Sequence, residues 1–173
     1  MKISNKLALS GLISSMSVAV MLLATIFPGG SLASSMVAGI ILVIIALECK
    51  GKWAFSAFIS TSFLSAFLVT DKESVIFFIV FFGHYPILKT RLDKIKNKIL
   101  RIVLKISVFN ICIVSASFLS FRFLGIPIEN FEIFGIKAPY LLLLFSNIVF
   151  WMYESLIIKF IKVYTYKFQK RIL

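Results

Sequence analysis

The sequence predicts an all-α fold: one polytopic membrane bundle of six transmembrane helices, occupying residues 1–173, with the N- and C-termini cytoplasmic. Three observations predict it. First, 60% of the 173 residues are hydrophobic and only 15% are charged, with a mean hydropathy of +1.02; a soluble domain is about 45–50% apolar and about 25% charged. Second, the apolar residues gather into six windows, at about 7–27, 31–47, 53–69, 74–88, 106–121 and 138–161. Third, the basic residues gather at the termini and in alternate connections, so that nearly all of them fall on one side. A span needs roughly 20 residues, so six of them take about 120. Too little chain remains for a soluble domain of ordinary size, which excludes a globular enzyme, a disordered chain and a disulfide scaffold.

The first span follows Lys2 and Lys6 and precedes Ser31-Leu32-Ala33, an arrangement that resembles a secretory leader. Its apolar core outruns the 7–15 residues usual in such a leader, so it reads as a retained anchor. Gly11, Ser15 and Ala19 recur at every fourth position, with Ser10 and Ser14 in a second row beside them. Small residues at that spacing let helix backbones approach closely. Packing within the bundle and contact with a separate membrane subunit both fit the pattern.

Spans two and three are joined by a short connection containing Lys50 and Lys52. Span four closes with Phe-Phe-Gly-His-Tyr-Pro-Ile-Leu-Lys, ending at Lys89. Interrupted spans with a polar side chain can mark transport sites, yet Pro86 can simply end a helix before a basic connector. Between spans four and five, Leu92, Ile95, Ile99, Ile102 and Ile106 recur at spacings of three and four among lysines. That pattern predicts an amphipathic helix over about 90–104, lying in the membrane interface. It is either a lipid-anchored connector or a docking helix for a cytoplasmic partner.

Span five carries Asn110. The connection Arg122–Lys137 is external and apolar, and Gly125, Pro127 and Gly135 break any helix in it. It reads as a plug folded onto the bundle mouth or as a gate over a cavity. Span six carries Asn147 and, seven residues later, Glu154. Polar groups inside spans are costly and face protein or water. Glu154 is expected to pair with a lysine such as Lys159 or Lys105, or else to wall a solute site.

Orientation follows from charge. With the N-terminus inside, sixteen of the nineteen basic residues are cytoplasmic: those near the N-terminus, Lys50 and Lys52, the seven from Lys89 to Lys105, and the five from Lys159 to Arg171. Only Lys72, Arg122 and Lys137 lie outside. This bias sets topology. A net charge of +12 would otherwise raise the question of nucleic acid; a basic rim facing anionic headgroups accounts for it, and no nucleic-acid partner is expected.

Catalytic chemistry is not expected. The sequence has no GxxxxGK[ST], HExxH or GxSxG pattern, and no pair of carboxylates within one span. His84 has no Cys, Asp or Glu at metal-ligand spacing. Cys49 and Cys112 lack a CxxC partner and read as small apolar packing residues. No cofactor and no metal are implied. Ligand binding, if the chain binds one, is expected at the outer mouth. Phe131 and Phe134 would roof a cavity with Asn147 at its floor, and Glu129 and Glu132 would bias it towards neutral or cationic solutes. Glu154 lies about 10 Å deeper at 1.5 Å per residue and is expected to be structural.

In layout the whole chain resembles the substrate-binding subunit of energy-coupling-factor vitamin transporters: six short spans, inside termini and comparable length. The resemblance implies a solute-capturing multi-pass protein of a bacterial cell membrane. It would draw energy from partners, a transmembrane coupling subunit with its ATPases. It also implies that Gly11, Ser15 and Ala19 face the coupling subunit, without that family's more usual alanine pair. The short Phe27-Pro28-Gly29-Gly30 connection departs from the longer lid of that family. The chain is similar in layout, too, to the bacterial rod-shape-determining six-span protein, which would imply a non-transporting membrane scaffold.

Overall fold

The computed structural model describes residues 2–23, 30–49, 51–124, 132–133 and 136–168. Its helices are α1 (Ile3–Leu23), α2 (Ser31–Cys49), α3 (Gly51–Leu68), α4 (Lys72–Phe77), α5 (Tyr85–Leu92), α6 (Lys98–Leu124) and α7 (Ala138–Phe168). A π-helical turn, Phe78–Phe82, joins α4 to α5. Among the described residues, five helical stretches are long and apolar enough to cross a membrane: Ile3–Leu23, Ser31–Cys49, Lys72–Leu92, Lys98–Ser120 and Leu144–Lys167. The chain is an integral membrane protein.

Its interior confirms the solvent it was built for. Serines and threonine point inwards (Ser10, Ser14, Ser17, Ser35, Thr61, Ser65 and Ser74 are buried), while Phe55, Phe63, Phe67, Phe118 and Leu144 point outwards. In water that arrangement would forfeit the hydrophobic effect. In hydrocarbon the outward apolar side chains cost nothing, because lipid tails are as apolar as they are, and helices associate through close packing and interhelical hydrogen bonds. Helix α3 shows the pattern most clearly. Ala54, Ala57, Thr61 and Ser65 form its inner stripe at helical spacing, and Phe55, Ile59, Phe63 and Phe67 its outer one. Its serines dilute its hydropathy, so it is the one long helix not among the five apolar stretches.

Helix α2 is the hub, packing against α1, α3, the α4–π–α5 stretch and α7. Its small residues carry the contacts. Ser17 Oγ donates to the Ala38 carbonyl at 3.2 Å, and Ser35 Oγ donates to the Ser74 carbonyl at 2.7 Å. A Cβ at Gly39 would stand 2.7 Å from Tyr153 Oη and closer still to the Phe82 carbonyl oxygen. Only glycine lets α2 approach the π turn this closely.

That turn explains how the fourth span stays helical through Gly83 and Pro86. Gly83 N donates to the Phe78 carbonyl at 2.8 Å, one residue wider than an α-helical bond. Tyr153 Oη satisfies the Phe82 carbonyl at 3.1 Å. Pro86 then falls in the first turn of α5, where its missing N–H goes unused. So Pro86 does not end the span, and the helix runs on to Leu92 rather than stopping at Leu88.

The amphipathic stripe over 90–104 is likewise not one interfacial helix. Its start completes α5, a turn occupies 93–97, and its end forms the first turns of α6. Asn97 decides this: its side-chain oxygen accepts from Ile99 N at 3.0 Å and Leu100 N at 3.3 Å, capping a new helix. Elsewhere helices extend past the apolar windows at their basic ends: α7 runs to Phe168 and α6 begins at Lys98. Apolar windows stop at the first lysine, whereas helices continue while their lysines snorkel to the headgroups. At the opposite side of the molecule Lys72 Nζ caps α3 through the Ala66 and Val69 carbonyls, both at 2.8 Å. Of the expected 122–137 connection, the first residues belong to α6, which runs to Leu124, and the rest of the described part is an antiparallel pair, Glu132 opposite Lys137 and Ile133 opposite Ile136.

Candidate functional site

Among the described residues, the ion pairs gather at the basic end, where α5, α6 and α7 meet. Tyr85, Lys89 and Asp93 follow one another at intervals of four residues, so α5 and its C-terminal cap present them on one face. Lys105 faces them from α6 and Glu154 from α7. The Glu154 carboxylate accepts from Tyr85 Oη at 2.7 Å on one oxygen, and from Lys89 and Lys105 on the other, Lys105 at 2.6 Å. Asp93 pairs with Lys89 at 3.1 Å and with Lys105 at 2.5 Å.

Burial gives these contacts their weight. Lys89, Lys105 and Glu154 are 4%, 8% and 7% exposed, and only the Asp93 side chain, at 43%, meets solvent. Two cations and two carboxylates form a neutral quartet, the condition under which charges can be held out of water. Burial pushes the Asp93 carboxyl up, but hydrogen bonds and charge from Lys105 and Lys89 outweigh it and hold it below the usual carboxylate range. The quartet has no nucleophile with an adjacent base. What it can do chemically is fix three spans in register.

Above it, two more rungs join α6 to α7. The Phe109 and Phe150 rings stack with centroids 4.8 Å apart. Asn110 and Asn147 exchange amide hydrogen bonds at 3.1 and 3.4 Å. Phe81, from the π turn, lies edge-on to Phe109 at 5.0 Å, and Phe81, Phe82, Tyr85, Phe150 and Tyr153 are all buried beside it. The waist of the bundle is filled with aromatic rings.

No family model matches this chain, and no curated protein or solved structure is significantly similar to it. Its chemistry must be argued from its own residues.

Those predicted at the sequence level are placed as follows. Asn147 is on α7, half-buried and bonded to Asn110. Glu129, Phe131 and Phe134 lie outside the described residues, as does the side chain of Glu132, so the predicted outer cavity falls there too. Gly11, Ser15 and Ala19 share an exposed face of α1, while Ser10, Ser14 and Ser17 turn into the bundle. Of the two lysines named for Glu154, Lys105 is its partner; Lys159 is exposed. Among the described residues no three His, Cys, Asp or Glu side chains stand together as a metal could use them.

Sequence reading missed Tyr85, Lys89 and Asp93. The signal was the four-residue spacing, hidden because Lys89 was counted with the cytoplasmic basic residues that close span four. Beside the quartet a cavity of about 620 Å³ opens between α6 and α7. A second, of about 420 Å³, lies between α3 and α5 and is lined by Lys52, Phe55, His84 and Arg91.

Proposed function

We propose that this protein is a six-span, solute-capturing subunit of a membrane transporter, with both termini cytoplasmic, that draws energy from partner subunits bound at α1. One observation carries the reading. The Gly11–Ser15–Ala19 row faces away from the bundle, and a Cβ at Gly11 would meet nothing within 4 Å. The bundle's own packing uses the neighbouring row, where Ser14 Oγ donates to the Ala57 carbonyl at 3.4 Å. A row of small residues facing outwards in a membrane leaves a groove for another helix to enter. The aromatic waist supports dependence on a partner, because a bundle filled at its centre offers no passage of its own. The same waist favours the second reading, a membrane scaffold that moves no solute.

Purification in mild detergent tests the proposal, with identification of co-purified subunits and small molecules. Gly11→Leu and Ala19→Leu add bulk only to the outward face. They are expected to leave the chain folded and to abolish recovery of the partner. Full recovery with both variants would remove the partner surface from α1. A partner recovered without any solute, from wild-type protein, would favour the scaffold.

A further inference from the structure

The cavity between α6 and α7 differs from the quartet that borders it. Its α6 wall is formed by Lys98, Arg101, Ile102, Lys105 and Ile106, which recur at spacings that put them on one helical face. Its α7 wall includes Phe150, Trp151, Glu154 and Ile158. The carboxylates in the lining, Asp93 and Glu154, are both engaged by Lys89 and Lys105. Lys98 and Arg101 are therefore surplus. Among the described residues neither has a carboxylate within ion-pair distance, and Arg101 is nonetheless half-buried. Around a space of about 620 Å³, the quartet cancels itself and a charge of two remains.

The lining is also graded along the helix. Lys98 and Arg101 sit in the first turn of α6, at its Asn97-capped N-terminus, where the helix dipole adds partial positive charge. Ile102 and Ile106 follow, the latter eight residues beyond Lys98 and about 12 Å further into the membrane at 1.5 Å per residue. Trp151 faces them, 51% exposed towards the lipid side. An anion at the headgroup level and an apolar chain below it are what such a lining would hold. The size falls within the roughly 300–1,000 Å³ of small-molecule sites. A free inorganic anion would leave the isoleucine and tryptophan walls unused.

We infer that this groove is a binding site for an anionic phospholipid, its phosphate held by Lys98 and Arg101 and its acyl chain laid along Ile102, Ile106 and Trp151. Guanidinium suits a phosphate because its planar fork can donate two parallel hydrogen bonds. The inference stands whether or not the chain captures a solute, since it uses neither α1 nor the outer mouth.

Native mass spectrometry of the full-length protein tests it, with the protein released from micelles containing phosphatidylglycerol, phosphatidylcholine or inorganic phosphate. One phosphatidylglycerol per chain is expected to be retained in preference to phosphatidylcholine, and millimolar inorganic phosphate is expected not to displace it. Lys98→Gln/Arg101→Gln is expected to weaken retention by about thirtyfold, the worth of two basic residues at a membrane surface. Lys94→Gln/Lys96→Gln removes equal charge from exposed positions that do not line the groove, and should leave retention unchanged. Equal retention of the two lipids by wild-type protein would overturn the site. So would equal losses in the two double variants, which would indicate surface charge alone. Displacement by inorganic phosphate would assign the groove to a free anion instead.

Discussion

Neutralising Glu154 should unbalance the quartet at its more buried carboxylate. Glu154→Gln keeps the side-chain volume and one oxygen able to accept, but its amide nitrogen can only donate, so one charge and one acceptor are lost together. Lys89 and Lys105, both more than nine-tenths buried, would then share Asp93 alone. One surplus charge would stay in the protein interior. Opposite unit charges 4 Å apart at an effective dielectric of 20 interact by about 4 kcal/mol. Breaking a buried pair by removing one partner costs about 3–5 kcal/mol. A loss of about 3 kcal/mol is expected here, at the lower bound, because Asp93 remains and is partly exposed. Removing a lysine as well should restore balance: Glu154→Gln/Lys89→Gln leaves Lys105 with Asp93, one charge each. The double variant should cost no more than either single one, giving a coupling of at least about 3 kcal/mol, at the upper end for groups in contact. Equilibrium unfolding of the whole chain in mixed micelles can measure this through tryptophan fluorescence, since Trp151 borders Glu154 in the groove. Costs that add to within about 0.5 kcal/mol would show that the charges act independently and refute the quartet.

Three further outcomes follow from the packing. Gly39→Ala places a methyl against the Phe82 carbonyl and Tyr153 Oη, both fixed by the π turn, and should destabilise the chain by at least about 1–3 kcal/mol in the same unfolding assay; an unchanged midpoint would mean α2 is not seated there. Asn147→Leu removes the exchange with Asn110 and should cost about 0.6–1.7 kcal/mol, the range for interhelical hydrogen bonds in membranes; no loss would mean the two amides do not meet. The Asp93 carboxyl is held below its ordinary value in the folded state, so its contribution is complete above the unfolded value of about 3.9 and is lost as pH falls through the lower folded one. Acid titration of stability should therefore show a shallower loss for Asp93→Asn than for wild type, and an identical slope would exclude Asp93 from the quartet.

Much of this architecture was legible because it depends on solvent. The apolar windows located the helices, since any span must satisfy its backbone internally while facing hydrocarbon. Where the reading failed, it failed at the ends. Hydropathy treats Lys89 and Lys105 as departures from the membrane, but a helix ends where its hydrogen bonds end, and both lysines remain inside because carboxylates await them. The same limit hid the turn at 93–97. The stripe through Leu92, Ile95, Ile99 and Ile102 is continuous on paper, and only the Asn97 cap shows that two helices share it. Asn110 and Asn147 were each visible as costly polar groups within spans; that they answer one another depends on the relative height of α6 and α7, which no single-span pattern contains.

The position of the quartet bears on what the rest of the molecule is free to do. Three spans are fastened by charge at one end, and the aromatic rings of Phe81, Phe109 and Phe150 fill the space immediately above. Helix α1 takes no part in that fastening; it packs on α2 and α3 through small residues and leaves Gly11, Ser15 and Ala19 outwards. A helix docking on that row would therefore meet a surface the bundle does not need for its own stability. The lipid groove lies apart from it, between α6 and α7, where the self-cancelling quartet leaves Lys98 and Arg101 available to an outside anion. The two surfaces should respond separately: Gly11→Leu should leave phosphatidylglycerol retention intact, and Lys98→Gln/Arg101→Gln should leave partner recovery intact. If either substitution abolished both, a shared conformational change rather than two independent faces would connect α1 to the groove, and the path would have to run through α2, which touches α1 on one side and α7 on the other.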